Sequence, residues 1–198
     1  MKKKMLLLCC GTSGSGKSYF IQNTLPRGLF YNLKSATTRK MRLGESNGNP
    51  YYFVDESFFD STPMATYLFV NEKYWVPGGS KWLYGIPEWE IQQHIGKNMT
   101  YDVIEPKYAR QLIEWFRTNG LTREYMFRVA WFLGPENAFD IVKQRANMQN
   151  DVAVRRENTC AATDFMRAGL DVDYMLSPRC GLMNARLMRH IANLQNAR

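Results

Sequence analysis

The sequence predicts an α/β fold in which a parallel sheet is flanked by helices and carries a small β-rich insertion. Short apolar runs alternate with helical patterns along most of the chain, which is typical of such a sheet. The first apolar run, Met5 to Cys10, passes through a glycine-rich loop into a helical pattern that stops before Pro26. The alternation lapses between residues 35 and 86, where aromatic residues and glycines in short extended segments indicate the insertion.

The other elements are predicted in chain order. A second strand covers 29–33, a helix begins near Pro87, a strand covers 99–104, a helix 106–119 and a strand 125–133. Two helices are predicted over 136–168, then a short strand around Tyr174 and a last helix from near Gly181. The run WVPGGSKW predicts a hairpin turn between Trp75 and Trp82.

Composition limits the classes of protein. A chain of 198 residues with 45% hydrophobic content can bury one core, and its net charge of +8 suits anionic ligands or polynucleotide surfaces. The four cysteines lack metal-ligand spacing, and two of them lie in the first strand, so we expect a reduced, cytoplasmic protein. No stretch is long enough to span a membrane, and MLLLCC is too short for a signal peptide.

The loop GTSGSGKS matches the Walker A pattern and lies between a predicted strand and a predicted helix, as phosphate binding requires. Glycines permit a tight turn whose backbone N–H groups and following helix attract phosphate. Lys17 is expected to reach the β- and γ-phosphates of ATP, and the Ser18 hydroxyl to bind Mg²⁺. The predicted ATP-binding residues are Gly11, Ser13, Gly14, Ser15, Gly16, Lys17 and Ser18.

The segment from Ser35 to Phe53 is a second candidate anion site, because it gathers Arg39, Lys40 and Arg42 on an irregular stretch. Spacing alone favours a solvated basic loop over an anion site. However, SATTRKMRLGESNGNPYYF resembles the guanylate kinase signature at every fixed position. These are Ser35, Thr37, Thr38, Arg39, Arg42, Gly44, Glu45, Gly48, Tyr51 and Phe53.

The resemblance implies a P-loop NTPase-type fold and a nucleoside monophosphate kinase, which transfers the γ-phosphoryl group of ATP, with Mg²⁺, to GMP or dGMP and yields GDP and ADP. It also implies a kinase core formed by 1–34 and 87–198, an inserted NMP-binding lobe at 35–86 and a helical lid at about 134–164. ATP and GMP or dGMP are then the expected partners, with neither a membrane nor nucleic acid.

Residue roles follow from the same resemblance. Arg39, Arg42, Tyr51 and Tyr84 match positions that hold the acceptor phosphate, and Ser35 matches one beside the acceptor base. In the lid, Arg145 and Arg156 have the eleven-residue spacing of the family's two arginines, with Arg155 as the alternative to Arg156. Together with Lys17 they are the predicted catalytic residues, because their charge offsets that of the transferring phosphates.

Some positions depart from the family pattern. Trp75 stands where the acidic reader of guanine is expected, so we assign that role to Glu72, with Asn71 as its alternative. Ile86 replaces a hydroxyl near the base, and weaker discrimination of guanine is therefore expected.

Two further departures lie in the core. Glu105 replaces an aspartate on the acceptor side, and Val103 stands where another aspartate is expected, with Asp102 adjacent. DYMLSP, near Tyr174, lacks the Asn-Asp pair that follows the last strand in the family.

Three alternatives stay open. The first is a kinase with a different or broader monophosphate acceptor. The second is a catalytically inactive guanylate-kinase-like module that binds a protein partner. The third, suggested by the basic charge, is a nucleic-acid-binding ATPase. The intact Walker A loop and the complete acceptor signature argue against the second. No recognition helix or aromatic RNA platform supports the third.

Overall fold

The described chain forms a five-stranded sheet, a four-stranded sheet and one pair of short strands. The computed structural model describes residues 3–12, 14–26, 28–69, 74–75, 82–94, 99–134, 154–155, 162–177 and 180–196. At 67–69, 74–75, 154–155 and 196 it describes the backbone alone.

The strands are β1 Lys4–Gly11, β2 Phe30–Asn32, β3 Ala36–Thr37, β4 Tyr52–Phe53, β5 Met64–Phe69, β6 Tyr74–Trp75, β7 Leu83–Pro87, β8 Met99–Val103, β9 Tyr125–Phe132, β10 Val154–Arg155 and β11 Tyr174–Leu176. The helices are α1 Lys17–Asn23, α2 Glu56–Ser61, α3 Glu88–His94, α4 Pro106–Thr118, α5 Ala162–Ala168 and α6 Gly181–Asn196. A 3-10 turn at Leu121–Arg123 connects α4 to β9.

The five-stranded sheet is parallel throughout, in the order β11-β9-β1-β8-β2. Strand β1 is central, and its residues from Met5 to Cys10 are completely buried. Such a strand is apolar without alternation because helices cover both faces of the sheet. The α/β fold with a parallel sheet is therefore confirmed.

The two faces of β1 enter different core clusters. Leu6 and Leu8 pack in a cluster with α4, whose buried residues Ala109, Leu112, Ile113 and Phe116 follow the helical period. Met5, Leu7 and Cys9 pack on the opposite face with Phe20 of α1 and with Leu187 and Ile191 of α6. Helices thus lie on both sides of the sheet. No helix in the described ranges is long and apolar enough to cross a membrane.

The four-stranded sheet, in the order β4-β3-β7-β5, falls between residues 36 and 87. Strand β7 pairs antiparallel with both β3 and β5, and β3 pairs parallel with β4. Gly85 in β7 has no room for a side chain, since an added Cβ would lie 2.5 Å from the Thr66 carbonyl oxygen. Assignment of 35–86 as a separate lobe stays a prediction.

One expectation about the second half of the chain is wrong. Helix was predicted over 136–168, but Val154–Arg155 is a strand that pairs antiparallel with Tyr74–Trp75. The local sequence pattern predicts a helix here, but these two residues pair with a distant segment, and local periodicity does not reveal such a pairing. The rest of 136–161 and the turn predicted inside WVPGGSKW lie outside the described residues.

A single buried carboxylate joins the two sheets. Glu90 on α3 is completely buried, and its Oε1 accepts hydrogen bonds from the Tyr31 hydroxyl at 2.9 Å and the Lys34 N–H at 3.0 Å. Its Oε2 accepts one from the Tyr52 hydroxyl at 2.8 Å. Tyr31 belongs to the five-stranded sheet and Tyr52 to the four-stranded one. Burial and the bond to Glu90 raise the pKa of Tyr52 to about 12 and also raise the pKa of Tyr31. Both tyrosine hydroxyls therefore stay protonated and act as donors to Glu90.

We expect Glu90→Ala to lower the free energy of unfolding by about 3 kcal/mol or more, because three donors lose their acceptor. Glu90→Gln should cost about 1–3 kcal/mol, since an amide group replaces one acceptor oxygen with a donor. Urea unfolding of the purified variants measures both effects. Glu114→Gln, on the exposed face of α4, is the matched control and should change stability by about 0.5 kcal/mol or less. Similar values at the two sites would contradict the structural role of Glu90.

Candidate active site

Most of the predicted site residues that the structure describes belong to segments that follow the carboxyl ends of parallel strands. Strand β1 ends at Gly11 and continues into the Walker A loop, and Glu105 follows the end of β8. Strand β2 ends at Asn32 and reaches β3 through three residues, among them Ser35. Parallel strands end at one edge of their sheet, and ligands of open α/β sheets bind outside that edge. The topology therefore collects these segments on one side of the molecule.

The loop after β1 depends on glycine at three positions. Gly14 and Gly16 have φ values of +80° and +83°, which side chains with a Cβ disfavour. Gly11 lies against the end of β9, where an added Cβ would be 2.7 Å from the Phe132 carbonyl oxygen. The loop closes on itself through a hydrogen bond from the Ser15 N–H to the Thr12 carbonyl at 3.2 Å.

Lys17 begins α1 and turns its ammonium back into the loop. Its Nζ donates to the carbonyl oxygens of Gly11 at 2.8 Å and Thr12 at 2.6 Å, and to the Ser15 Oγ at 3.3 Å. The loop thereby holds a positive charge at its own centre, while the predicted contact of Lys17 with the phosphates of ATP stays a prediction. The neighbouring Ser18 is exposed in the first turn of α1, whereas Ser13 lies outside the described residues.

Asp102, near the end of β8, is a functional candidate that the sequence analysis named beside Val103 but to which it assigned no role. It is only 6% exposed and lies opposite Leu8 of the central strand. Burial raises the pKa of its carboxyl group to about 7. Burial also raises the pKa of the Cys9 thiol, which Asp102 raises further and Lys17 lowers. An acidic residue at the end of an apolar strand is the signal that could have identified it.

Arg39 lies in a buried ion pair. Its side chain is 3% exposed, and its Nη2 contacts both Glu45 carboxylate oxygens at 2.9 and 3.0 Å. Its Nη1 donates to the Lys40 carbonyl at 2.8 Å, and the guanidinium stands 5.5 Å from the Tyr51 ring centre and 5.3 Å from that of Phe53. The signature residues thus fix one another, and Glu45 balances part of the Arg39 charge.

Electrostatics supports this pairing. Burial alone would raise the pKa of the Glu45 carboxyl, but hydrogen bonds from Arg39 and from the Arg42 backbone N–H at 2.7 Å hold it below its ordinary value. The pKa of Arg39 is raised, since Glu45 and Tyr84 outweigh the effect of burial. Tyr84 in turn packs against Tyr51, with 5.7 Å between the ring centres.

The structure thus brings Arg39, Arg42, Tyr51 and Tyr84 together, while the phosphate-binding role assigned to each stays a prediction. Glu105 precedes the first residue of α4, next to the end of β8. Glu72, Arg145 and Arg156 lie outside the described residues, and of the alternative Arg155 the backbone alone is described. Ile86 is completely buried in the core cluster that contains Leu6 and Leu8.

Comparison with known proteins finds similar sequences, and solved structures with a similar fold. The chain is 32% identical to a guanylate kinase of Carboxydothermus hydrogenoformans over 117 residues, which span 57% of this chain and 53% of that protein. It is 28% identical to a guanylate kinase of Thermotoga maritima over 173 residues, or 83% of this chain and 75% of that protein. The first match therefore spans about half the length of the relative. No protein-family model matches the chain.

The crystal structure of a guanylate kinase from Anaplasma phagocytophilum has the same fold. It superposes with a TM-score of 0.52 at 18% identity, over 100% of this chain and 87% of that one. The chain is therefore similar in sequence to guanylate kinases and has the fold of one, which confirms the resemblance that its signature residues predict.

Proposed function

We propose that this protein is an ATP-dependent guanylate kinase that transfers the γ-phosphoryl group of ATP to GMP or dGMP and releases ADP and GDP. The observation that carries the proposal is the shared edge of the sheet. The Lys17 loop follows β1 and Glu105 follows β8, while the chain leaves β2 through Ser35 into β3, which Arg39 follows. Donor and acceptor phosphates bound there would be held close together, and positioning accounts for most of the catalysis of phosphoryl transfer.

The roles proposed for the residues follow from their charge and place. Lys17 would contact the β- and γ-phosphates of ATP, while Arg42, Tyr51 and Tyr84 would orient the acceptor phosphate beside Arg39. Ser35, Glu72 and Glu105 would lie on the nucleoside side of the acceptor, and Arg145 and Arg156 would close from the lid. No strong general base is needed, because the acceptor phosphate oxygen is already a nucleophile.

The donor groups at this edge fit Mg²⁺ accompanying ATP. The exposed Ser18 hydroxyl lies in the first turn of α1, and the Asp102 carboxylate lies on β8, opposite Leu8 of the strand that leads into the loop. Magnesium usually takes one or two protein oxygens and completes its shell with phosphate oxygens and water. When bound, the ion would neutralise charge on the transferring phosphates. A reduced cytoplasmic protein is the setting we propose for this activity, since buried Cys9 and Cys10 are free thiols.

Lys17→Ala should leave the fold intact and lower turnover about a hundredfold or more, because a fixed charge on the transferring phosphates is lost. Turnover is measured as ADP released from Mg·ATP with GMP, and folding by circular dichroism. Lys3→Ala is the matched control, since it removes an exposed lysine near the opposite end of the same strand. Nearly normal turnover in folded Lys17→Ala would contradict the kinase proposal.

Arg42→Gln and Tyr84→Phe should raise the KM for GMP much more than the KM for ATP, with some loss of kcat, because both side chains are assigned to the acceptor. Arg39→Ala should do the same but also lower stability, because it leaves Glu45 without its ion-pair partner. Steady-state kinetics with each substrate varied in turn distinguishes these effects, and exposed Arg123→Gln is the control. Equal changes in both KM values would show that these residues have been assigned to the wrong subsite.

Asp102→Asn should separate stability from activity. The raised pKa of Asp102 means that the folded protein keeps a proton which the unfolded chain loses between about pH 4 and pH 7. The free energy of unfolding therefore falls as the pH rises through this window, and above it the destabilisation by the buried carboxylate has reached its full value. At pH 8 the variant should be more stable than the parent by on the order of 1 kcal/mol or more, with no difference near pH 4.

Turnover of Asp102→Asn should nevertheless fall roughly tenfold or more if the carboxylate serves the Mg·ATP site. Denaturant unfolding across pH and the ADP-release assay test the two halves separately. A variant that keeps full turnover would remove Asp102 from the catalytic site but leave the kinase proposal standing.

A panel of nucleoside monophosphates with Mg·ATP tests the acceptor. GMP or dGMP should give the highest kcat/KM. A clear preference for another base would leave the proposed reaction standing but show that the acceptor is a different monophosphate. No transfer to any monophosphate would favour a binding module.

A further inference from the structure

A basic cleft lies on the α6 side of the main sheet, apart from the candidate active site. It is formed by β9, β11 and α6 and has a volume of about 380 Å³, within the usual range for small-molecule sites. Its lining includes Arg128, Asp173, Tyr174, Arg186, Arg189 and His190. None of these residues has a part in the function proposed above.

Strand register separates this cleft from the Walker A loop. Gly11, where the loop begins, is opposite Phe132, whereas Arg128 is opposite Leu7 of the same strand. Four residues of strand correspond to about 13 Å. Phe132, Leu176 and Leu187 belong to the buried cluster of this layer. A ligand in the cleft would therefore not be a ligand of the loop.

The charges that line the cleft favour an anion. Three arginines face one carboxylate, that of Asp173, which is already engaged on both oxygens. Its Oδ2 accepts a hydrogen bond from the Val129 N–H at 2.8 Å, and its Oδ1 is 3.5 Å from the Arg128 Nη1. Asp173 thus offsets one arginine, and the lining keeps an excess of two positive charges from Arg186 and Arg189.

The arginines are arranged so that they can act together. Arg186, Arg189 and His190 are three and four residues apart on α6, a spacing that places side chains on one helix face. The Arg186 guanidinium lies over the Tyr174 ring, 5.9 Å from its centre. Planar guanidinium forks bind phosphate oxygens in pairs, which a lysine ammonium does not.

Tyr174 and His190 complete the cleft with a neutral donor. The Tyr174 hydroxyl is hydrogen-bonded to the His190 Nδ1. If the Tyr174 hydroxyl donates to Nδ1, the histidine proton is on Nε2 and can be donated to a ligand. In the other tautomer, Nδ1 donates to the hydroxyl oxygen, and the hydroxyl proton can be donated to a ligand. Burial lowers the pKa of His190, and Arg128 and Arg186 lower it further against the opposing effect of Asp173.

We propose that this cleft is a second anion site, which binds the phosphate group of a small molecule through Arg128, Arg186 and Arg189. The shared chemistry is a phosphate group, whether free or at the end of a nucleotide. The proposal does not depend on the kinase activity, because none of its residues belongs to that site.

His190 provides a local measurement. The chain has two histidines, and His94 stacks on Tyr31 at 3.5 Å, away from the cleft, so it serves as an internal reference. The ring signals of histidine-labelled full-length protein are followed by NMR while inorganic phosphate, pyrophosphate, ATP or GMP is added in separate titrations. Binding at the Walker A loop alone should leave His190 unchanged.

We expect a saturable shift of the His190 signals and a higher apparent pKa for His190 on binding, because a neighbouring anion stabilises the imidazolium. The His94 signals should stay constant. A response to inorganic phosphate or pyrophosphate identifies the free anion as sufficient, and a response to nucleotides alone assigns the site to a nucleotide's phosphate end.

Arg186→Gln with Arg189→Gln should weaken the response about tenfold or more, since two charge-assisted contacts are lost. The matched control is Arg110→Gln with Arg117→Gln, which removes the same charge from exposed positions on α4. Turnover with Mg·ATP and GMP should be the same in the two double variants. The proposal would be overturned by no saturable His190 response to any of the four anions, by equal affinities in the two double variants, or by a response to oligonucleotides only.

Discussion

The close approach of Gly11 to the Phe132 carbonyl is the constraint on which the site depends. It joins the end of the central strand to its neighbour β9, leaving no space for a Cβ. Because β1 is buried on both faces, the direction in which the chain leaves the sheet is set by core packing. The loop with Lys17 starts from a rigid position, as preorganised charge in an active site requires.

Two largely buried carboxylates, those of Glu90 and Glu45, organise the region around the four-stranded sheet through hydrogen bonds and an ion pair. Glu90 joins the two sheets through tyrosine hydroxyls and a backbone N–H, and Glu45 fixes Arg39 among aromatic rings. Buried ions are costly unless they are hydrogen-bonded, so these contacts strongly restrict the geometry. The residues that match the family's signature therefore also build the structure that presents them.

Two groups of positive side chains stand out among the described residues. The Lys17 ammonium is held by carbonyl oxygens of the loop after β1, and the Arg39 guanidinium, in the segment after β3, is held by Glu45. On the α6 side, Arg186 and Arg189 stand at the surface of a cleft that contains one carboxylate. Net charge alone suggests anionic partners, but the fold decides that these two groups lie at different places on the main sheet.

The sequence by itself determined the parallel α/β fold, the position of the Walker A loop and the relation to guanylate kinases, because periodicity and contiguous motifs are local signals. It did not reveal the strand at Val154–Arg155, whose partner lies about eighty residues away. Nor did it indicate that Asp102 and Glu90 are buried, or that Arg128 and Arg186 line one cleft. Burial and long-range contacts arise when distant segments pack together, so only the tertiary structure decided them.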